Sequence, residues 1–163
     1  MDIIHEAHGL LHFKIIIFMN KIICSGALFY ALNSKRFLLL HRTQSKAKNL
    51  WGLVGGTNED TETPYVGLLR EIKEELGFQP EIQKSIPLET FVSNDNHFNF
   101  HTYLCVVKEE FIPILNEEHD GYAWVGYENW PKPLHQGLRN TLNSKINRAK
   151  LETVFNMVDL LKK

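Results

Sequence analysis

The sequence predicts an α/β protein built on a mixed β-sheet, and three observations carry that expectation. Apolar and aromatic stretches of strand length recur at 22–32, 36–41, 86–93 and 98–107. One amphipathic helix, opening at Thr63-Pro64 and closing at Gly77, interrupts them. From Leu134 onward the apolar residues return at helical spacing. The chain has 163 residues, 44% of them hydrophobic, which suits one ordinary domain with its own core.

Charge and cysteine usage narrow the function classes. A formal net charge of -1 supplies no whole-protein basic field, so binding to a nucleic-acid polymer is not expected and a small anionic ligand must be held locally. Cys24 and Cys105 sit alone inside apolar runs, as reduced buried thiols do, which points to a cytoplasmic setting. At the start of the chain, Ile15, Ile16, Ile17 and Phe18 form an apolar run after His5, His8, His12 and Lys14. That run is too short to span a bilayer, and Asp2 and Glu6 stand where a secretory leader carries positive charge. Residues 1–18 therefore read as an N-terminal extension or extra edge strand, ahead of a single domain at 19–163. The histidines have the spacing of metal ligands on a helix, and a polar terminal segment explains them as well. An apolar edge strand can pair within its own sheet or with a second copy, so monomer and homodimer are both open.

The elements follow in order. Ile22 to Leu32 and Arg36 to His41 read as a hairpin around the turn residues Asn33-Ser34-Lys35. Thr43 to Asn49 reads as an exposed polar loop leading to the short apolar run Leu50 to Gly56. In the helix, Thr63 can cap free N–H groups and Pro64 suits the first helical position. Tyr65, Leu68, Leu69, Ile72 and Leu76 form its buried stripe, and Gly77 ends it as a left-handed cap. Gly67 costs such a helix about 1 kcal/mol relative to Ala, so either close packing or tolerance accounts for it. Ile86 to Ser93 and Phe98 to Val107 read as strands around Asn94-Asp95-Asn96, with a short strand at Tyr122 to Val125. The tail carries Leu138, Leu142 and Ile146, then Leu151, Val154, Phe155, Val158 and Leu161, at the spacing of helices covering one sheet face.

The chemistry is concentrated in the acids of the central helix. Glu71, Glu74 and Glu75 are three and four residues apart, which puts them on nearly one face, and they repel one another. They also occupy the last two turns, where the helix dipole disfavours each anion by roughly 0.3–1 kcal/mol. A divalent cation reverses that balance, because hard oxygen ligands suit Mg²⁺ or Mn²⁺ beside phosphate oxygens. The competing reading is a solvated acidic face with Arg70 and Glu74 paired at i,i+4.

The surrounding frame decides between these readings. Five residues separate Gly56 from Glu62, seven more lead to Arg70, and Arg70-Glu71-Ile72-Lys73-Glu74-Glu75-Leu76-Gly77-Phe78 follows without a gap. This frame resembles the Nudix box at every defining position from Gly56 to Phe78. The resemblance implies the Nudix fold, an α/β/α sandwich with a mixed sheet, and metal-dependent hydrolysis of a phosphoanhydride in a nucleoside diphosphate derivative. It implies Glu74 and Glu75 as metal ligands, the Gly55 carbonyl as a further one, and Glu71 as a ligand or as the base that orients and deprotonates water. Arg70 then serves catalysis by holding the acids, Glu62 above all, while Gly56, Glu62 and Gly77 support the site.

Outside the box, Glu117-Glu118-His119-Asp120-Gly121-Tyr122-Ala123-Trp124 looks like the corresponding segment of small Nudix enzymes that act on dinucleoside polyphosphates or nucleoside triphosphates. Glu118 is the alternative general base there, with Glu117 beside it. Tyr122 and Trp124 can equally alternate into the core. Arg42 with Lys46 and Lys48 could grip phosphates or be solvated loop cations. Phe98, Phe100, Tyr103 or Trp124 could stack on a base or pack in the core.

Other classes fit less well. A silent Nudix-like binding module usually loses one of the acids that this chain keeps. Isopentenyl diphosphate isomerase shares the fold and needs a cysteine that neither Cys24 nor Cys105 matches in context. The box alone does not choose the substrate. The Glu118-His119 segment points to nucleoside triphosphates or dinucleoside polyphosphates, with ADP-ribose and nucleotide sugars next.

Overall fold

The computed structural model describes residues 21–44 and 47–160. The expectations for residues 1–18 and for Lys46 lie outside the described residues.

Strand β1 (Ile22–Ala31) is the spine of the sheet. It pairs antiparallel with β2 (Arg36–Arg42) across the expected turn and parallel with β6 (Phe98–Val107), so the sheet is mixed. Strand β5 (Lys84–Val92) lies antiparallel to β6 at one edge. The apolar run at 50–56 serves two neighbours: β3 (Trp51–Gly52) pairs with β2, and β4 (Val54–Thr57) crosses to pair with β1. Strand β7 (His119–Gly126) pairs with β2 and is longer than the expected Tyr122–Val125, because pairing continues past a bulge between His41 and Arg42.

A central strand covered on both faces must be apolar on both, and Ala27 to Ala31 are all buried. Their side chains alternate between two cores. Ala27, Phe29 and Ala31 join Leu38, Leu40 and Cys105 under α1 (Pro64–Leu76), whose stripe contributes Leu68, Ile72 and Leu76. Leu28 and Tyr30 join Phe37, Leu39, Leu104 and Val106 under α2 (Gln136–Asn143) and α3 (Lys145–Leu160), which contribute Leu138, Leu142 and Leu151. The result is the α/β/α sandwich.

Helix α1 has the boundaries its sequence calls for. The Thr63 hydroxyl accepts the Val66 N–H at 3.3 Å, Pro64 is the first helical residue, and Gly77 closes the helix at φ 74°. Leu68, Ile72 and Leu76 are fully buried, with Tyr65 and Leu69 at the margin. The tail departs from its expected pattern at Ile146, which is 69% exposed. Ser144 adopts an extended conformation, so α3 starts with a new phase and does not continue the α2 stripe of Leu138 and Leu142. Cys24 and Cys105 are free buried thiols, and burial pushes Cys105 up to about 12. Among the described residues, no helix is long and apolar enough to cross a membrane.

These placements separate two leucine-like positions of the tail. Leu138→Ala is expected to destabilise the protein by about 2–5 kcal/mol in urea unfolding. Ile146→Ala should stay within about 0.5 kcal/mol of wild type. Equal losses at both positions would contradict the break at Ser144.

Candidate functional site

The three glutamates of α1 do not share one environment. Glu75 is buried, with its side chain 3% exposed, and its Oε2 accepts the Gly55 N–H at 2.7 Å. Glu71 lies against Gly56, where an added Cβ would meet the carboxylate at 2.6–2.8 Å. That close approach explains the glycine at this position. Glu74 is 54% exposed and is the outer member of the group. A single acidic face, as the spacing suggests, is thus split by the approach of β4 to one side of the helix.

Arg70 ties the group together. Its Nε and Nη2 bind Glu62 Oε1 and Oε2 at 2.9 and 3.1 Å, Nη1 reaches Glu71 at 2.9 Å and Glu74 at 3.3 Å, and Nη2 also donates to the Thr57 carbonyl at 2.9 Å. All five guanidinium N–H donors are engaged, which leaves none for a ligand. The guanidinium is spent on Glu62, Glu71, Glu74 and the Thr57 carbonyl. Glu62 in turn accepts the Glu59 N–H at 2.9 Å, and these two donors hold its carboxyl below the usual range, Arg70 chief among them.

The loop before the helix has its own supports. Ser25, fully buried on β1, donates to Asn58 Oδ1 at 2.9 Å, and Asn58 Nδ2 donates to the Thr63 carbonyl at 2.8 Å. A Cβ on Gly67 would meet the Asn58 amide at 2.3–2.5 Å, so close packing accounts for this mid-helix glycine. Sequence reasoning missed Ser25, Asn58 and the Thr57 carbonyl. Ser25 is distant in sequence and carried no signal, while Asn58 lies inside the box at a position its pattern leaves free.

The start of β7 comes to the same place. Thr43 N–H donates to the Glu118 carbonyl at 2.9 Å, and Thr43 Oγ1 and Gln44 Nε2 donate to the Glu117 carbonyl. Glu118 Oε2 stands 3.9 Å from Arg42 Nη2, and its charge raises the proton affinity of both Glu71 and Glu75. Arg42 is 25% exposed, and its Nε is buried without a hydrogen-bond partner among the described residues. The bulge places His119 opposite Arg42 and leaves Asp120 as the extra residue. His119 is fully buried at its side chain, with Nδ1 3.1 Å from Asn116 Oδ1 and Nε2 3.8 Å from Glu75 Oε1. Burial, helped by Arg42, holds His119 down at about 4, so the imidazole is neutral at neutral pH and its contact with Glu75 is not an ion pair.

The remaining candidates divide. Lys48 is exposed. Trp124 packs edge-on against Phe111 and donates Nε1–H to the Phe111 carbonyl at 3.0 Å. Tyr103 packs on Tyr65, and Phe100 packs over Gly26 with Phe98 beside it. Tyr122, on the Trp124 side of β7, is 38% exposed.

Burial pushes Glu75 up to about 8, with Glu71 and Glu118 reinforcing the shift and the Gly55 N–H and Arg42 opposing it. Glu71 is also raised, first by burial and then by Glu74 and Glu118, against the pull of Arg70. Among the described residues, no three acid, imidazole or thiol groups are already gathered in a metal-ligand arrangement. The donor chemistry nevertheless fits a hard divalent cation: carboxylate oxygens in excess of nearby cations, with the proton affinities of Glu71 and Glu75 raised by burial and by neighbouring acids.

Comparison with known proteins agrees with the fold and the frame. The NUDIX domain family matches residues 24–144. The chain is 32% identical over 111 residues to a Haemophilus influenzae protein named dihydroneopterin triphosphate diphosphatase, covering 59% of this chain and 68% of that one. Among solved structures, a MutT NUDIX hydrolase from Burkholderia pseudomallei aligns with a TM-score of 0.65 at 25% identity, covering 77% of this chain and 98% of that one. The NUDIX domain of Shewanella oneidensis NrtR, solved with ADP ribose, aligns with a TM-score of 0.67 at 18% identity, covering 91% and 99%, and shares the fold.

The opposed shifts of Glu75 and His119 give a testable pH window. Glu75 titrates higher in the folded protein than its ordinary 4.5, so the metal-free fold loses stability as pH rises from 4.5 through about 8. His119 works the other way: its contribution is complete above 6.5 and is lost as pH falls from there through about 4. Of this pair only Glu75 acts between pH 6.5 and 8. In EDTA the melting temperature is expected to fall across that interval, and Glu75→Gln should flatten the fall. An unchanged slope in the variant would assign it to other groups.

Proposed function

The chain belongs to the Nudix hydrolase family, and from that premise we propose that it hydrolyses a phosphoanhydride bond of a nucleoside triphosphate or a closely related polyphosphate, with Mg²⁺ or Mn²⁺ as cofactor. The observation that carries this reading is the arrival of Glu118, from the β7 side, within the electrostatic reach of Glu71 and Glu75 on α1. Acids from two separate elements then border one point, with Arg42 as the available cation beside them.

In this reading Glu71, Glu74, Glu75 and the Gly55 carbonyl hold the cation. When bound, it neutralises phosphate charge and lowers the pKa of water. Glu118 takes the proton from the attacking water. Two facts favour it over Glu71: Glu118 is 48% exposed and, among the described residues, its carboxylate has only the long contact to Arg42, while Glu71 is bonded to Arg70 and packed on Gly56. Arg42 offers its guanidinium to phosphate oxygens that the metal leaves uncovered, at the planar bidentate geometry that suits them. Arg70 and Glu62 keep the acids in place before substrate arrives.

The relative from Haemophilus influenzae is named for a pterin triphosphate, which supports a triphosphate that yields pyrophosphate. Dinucleoside polyphosphates present the same reacting groups. The ADP-ribose class draws only on a shared fold.

A panel of nucleoside triphosphates, dihydroneopterin triphosphate, dinucleoside polyphosphates and ADP-ribose, with Mg²⁺ and Mn²⁺ and products identified by mass, tests the assignment. Turnover is expected on the triphosphates, with kcat lowered about 10²–10⁴-fold in Glu118→Gln and little change in KM. Glu75→Gln should abolish activity. A preference for ADP-ribose would overturn the substrate class, and wild-type rates in Glu118→Gln would return the base to Glu71.

A further inference from the structure

The hydrogen bonds around His119 determine which ring nitrogen carries the hydrogen. The Glu118 N–H donates to Asn116 Oδ1 at 3.1 Å, which fixes the oxygen of that amide toward the strand. The same Oδ1 lies 3.1 Å from His119 Nδ1. An amide oxygen only accepts, so Nδ1 bears the hydrogen and Nε2 presents its lone pair. The His119 N–H, bonded to the Asn116 carbonyl at 3.2 Å, holds the backbone of the same turn.

That lone pair has an unusual neighbour. Among the described residues Nε2 is buried with no hydrogen-bond partner, and Glu75 Oε1 stands 3.8 Å away. The other carboxylate oxygen, Oε2, already accepts the Gly55 N–H. With a cation holding Glu75 as the carboxylate, Oε1 and Nε2 are two buried acceptors that face each other, and they cost free energy unless a shared donor satisfies both. The bulge is what creates the pairing. Without it, strand alternation from Trp124 and Tyr122 would direct Asp120 toward α1; with it, His119 takes that direction and Asp120 is left 58% exposed.

We propose that His119 is a positioning residue of the cation site: its Nε2 accepts a hydrogen bond from a water carried by the divalent ion that Glu75 ligates, and so orients that water and the Glu75 carboxylate together. The inference rests on the reading of Glu75 as a metal ligand. A neutral imidazole acceptor suits this task, because a second anion there would repel Glu75 and a cationic group would compete with the metal.

Metal binding by the substrate-free protein tests it. Mn²⁺ is titrated into wild type, His119→Leu, His119→Gln and Glu75→Gln, with free ion read by electron paramagnetic resonance and melting temperatures taken in EDTA. His119→Leu, which removes the acceptor, is expected to weaken Mn²⁺ binding about 10–100-fold. His119→Gln, which restores an acceptor oxygen, should recover most of that loss. Spin-echo modulation of Mn²⁺-loaded wild type should show no directly bound imidazole nitrogen. Wild-type affinity in His119→Leu, no recovery in His119→Gln, or a directly coordinated nitrogen would each overturn the proposal. Should His119→Leu not fold, the spin-echo spectrum and the His119→Gln affinity still decide it. If Glu75→Gln binds Mn²⁺ as wild type does, the metal-ligand reading falls and this inference with it; a loss in Glu75→Gln alone overturns only the role of His119.

Discussion

A carboxylate buried between a helix and a strand must be held by donors, and Glu75 is held by the Gly55 N–H at 2.7 Å. An uncompensated anion at this depth costs several kcal/mol, which is why burial pushes Glu75 up to about 8, and the bond constrains both elements that it joins. It sets the rotation of α1 against β4. With that rotation fixed, Glu71 meets the bare α-carbon of Gly56 and Glu74 is turned outward. The serine and asparagine bridge from β1 through Asn58 to the Thr63 carbonyl fixes the loop that enters the helix. Strand, loop and helix are thereby tied together around the acids.

The site carries more negative charge than its cations offset. Arg70 has all its donors committed to Glu62, Glu71, Glu74 and the Thr57 carbonyl, so it organises the acids and has nothing left to offer a phosphate. Arg42 is a cation that stands beside Glu118 and acts on the buried His119. Raised proton affinities at Glu71 and Glu75 are the electrostatic expression of this imbalance. A hard cation held by these carboxylates would offset it.

The opposite layer supports the sheet on which the site is built. Thr141 donates to Glu89 at 2.5 Å and Lys150 to the Leu88 carbonyl at 2.6 Å, which ties α2 and α3 to the edge strand β5. Leu138, Leu142 and Leu151 close the second core beneath β1 and β2. Strands buried on both faces give the acids and Arg42 a stiff base, which favours geometry set before the ligand binds.

Local rules made much of this legible in the sequence. The Thr63 cap, Pro64, the Leu68, Ile72 and Leu76 stripe and the Gly77 stop act within a few residues, and so does the spacing that brings Arg70 to Glu62 and Glu74. The hairpin of β1 and β2 is equally local. Long-range pairing decided the rest. The division of residues 50–56 between β2 and β1, the burial of Glu75 against Glu74, and the outward turn of Ile146 after Ser144 depend on which elements pack together. The aim of His119 depends on one bulge in the pairing of β7 with β2. A register shift of one residue exchanges the faces of a strand, and no pattern within the strand records it. The sequence by itself therefore determined the family frame and its acids; only the tertiary structure decided which acid is buried, and which imidazole faces it.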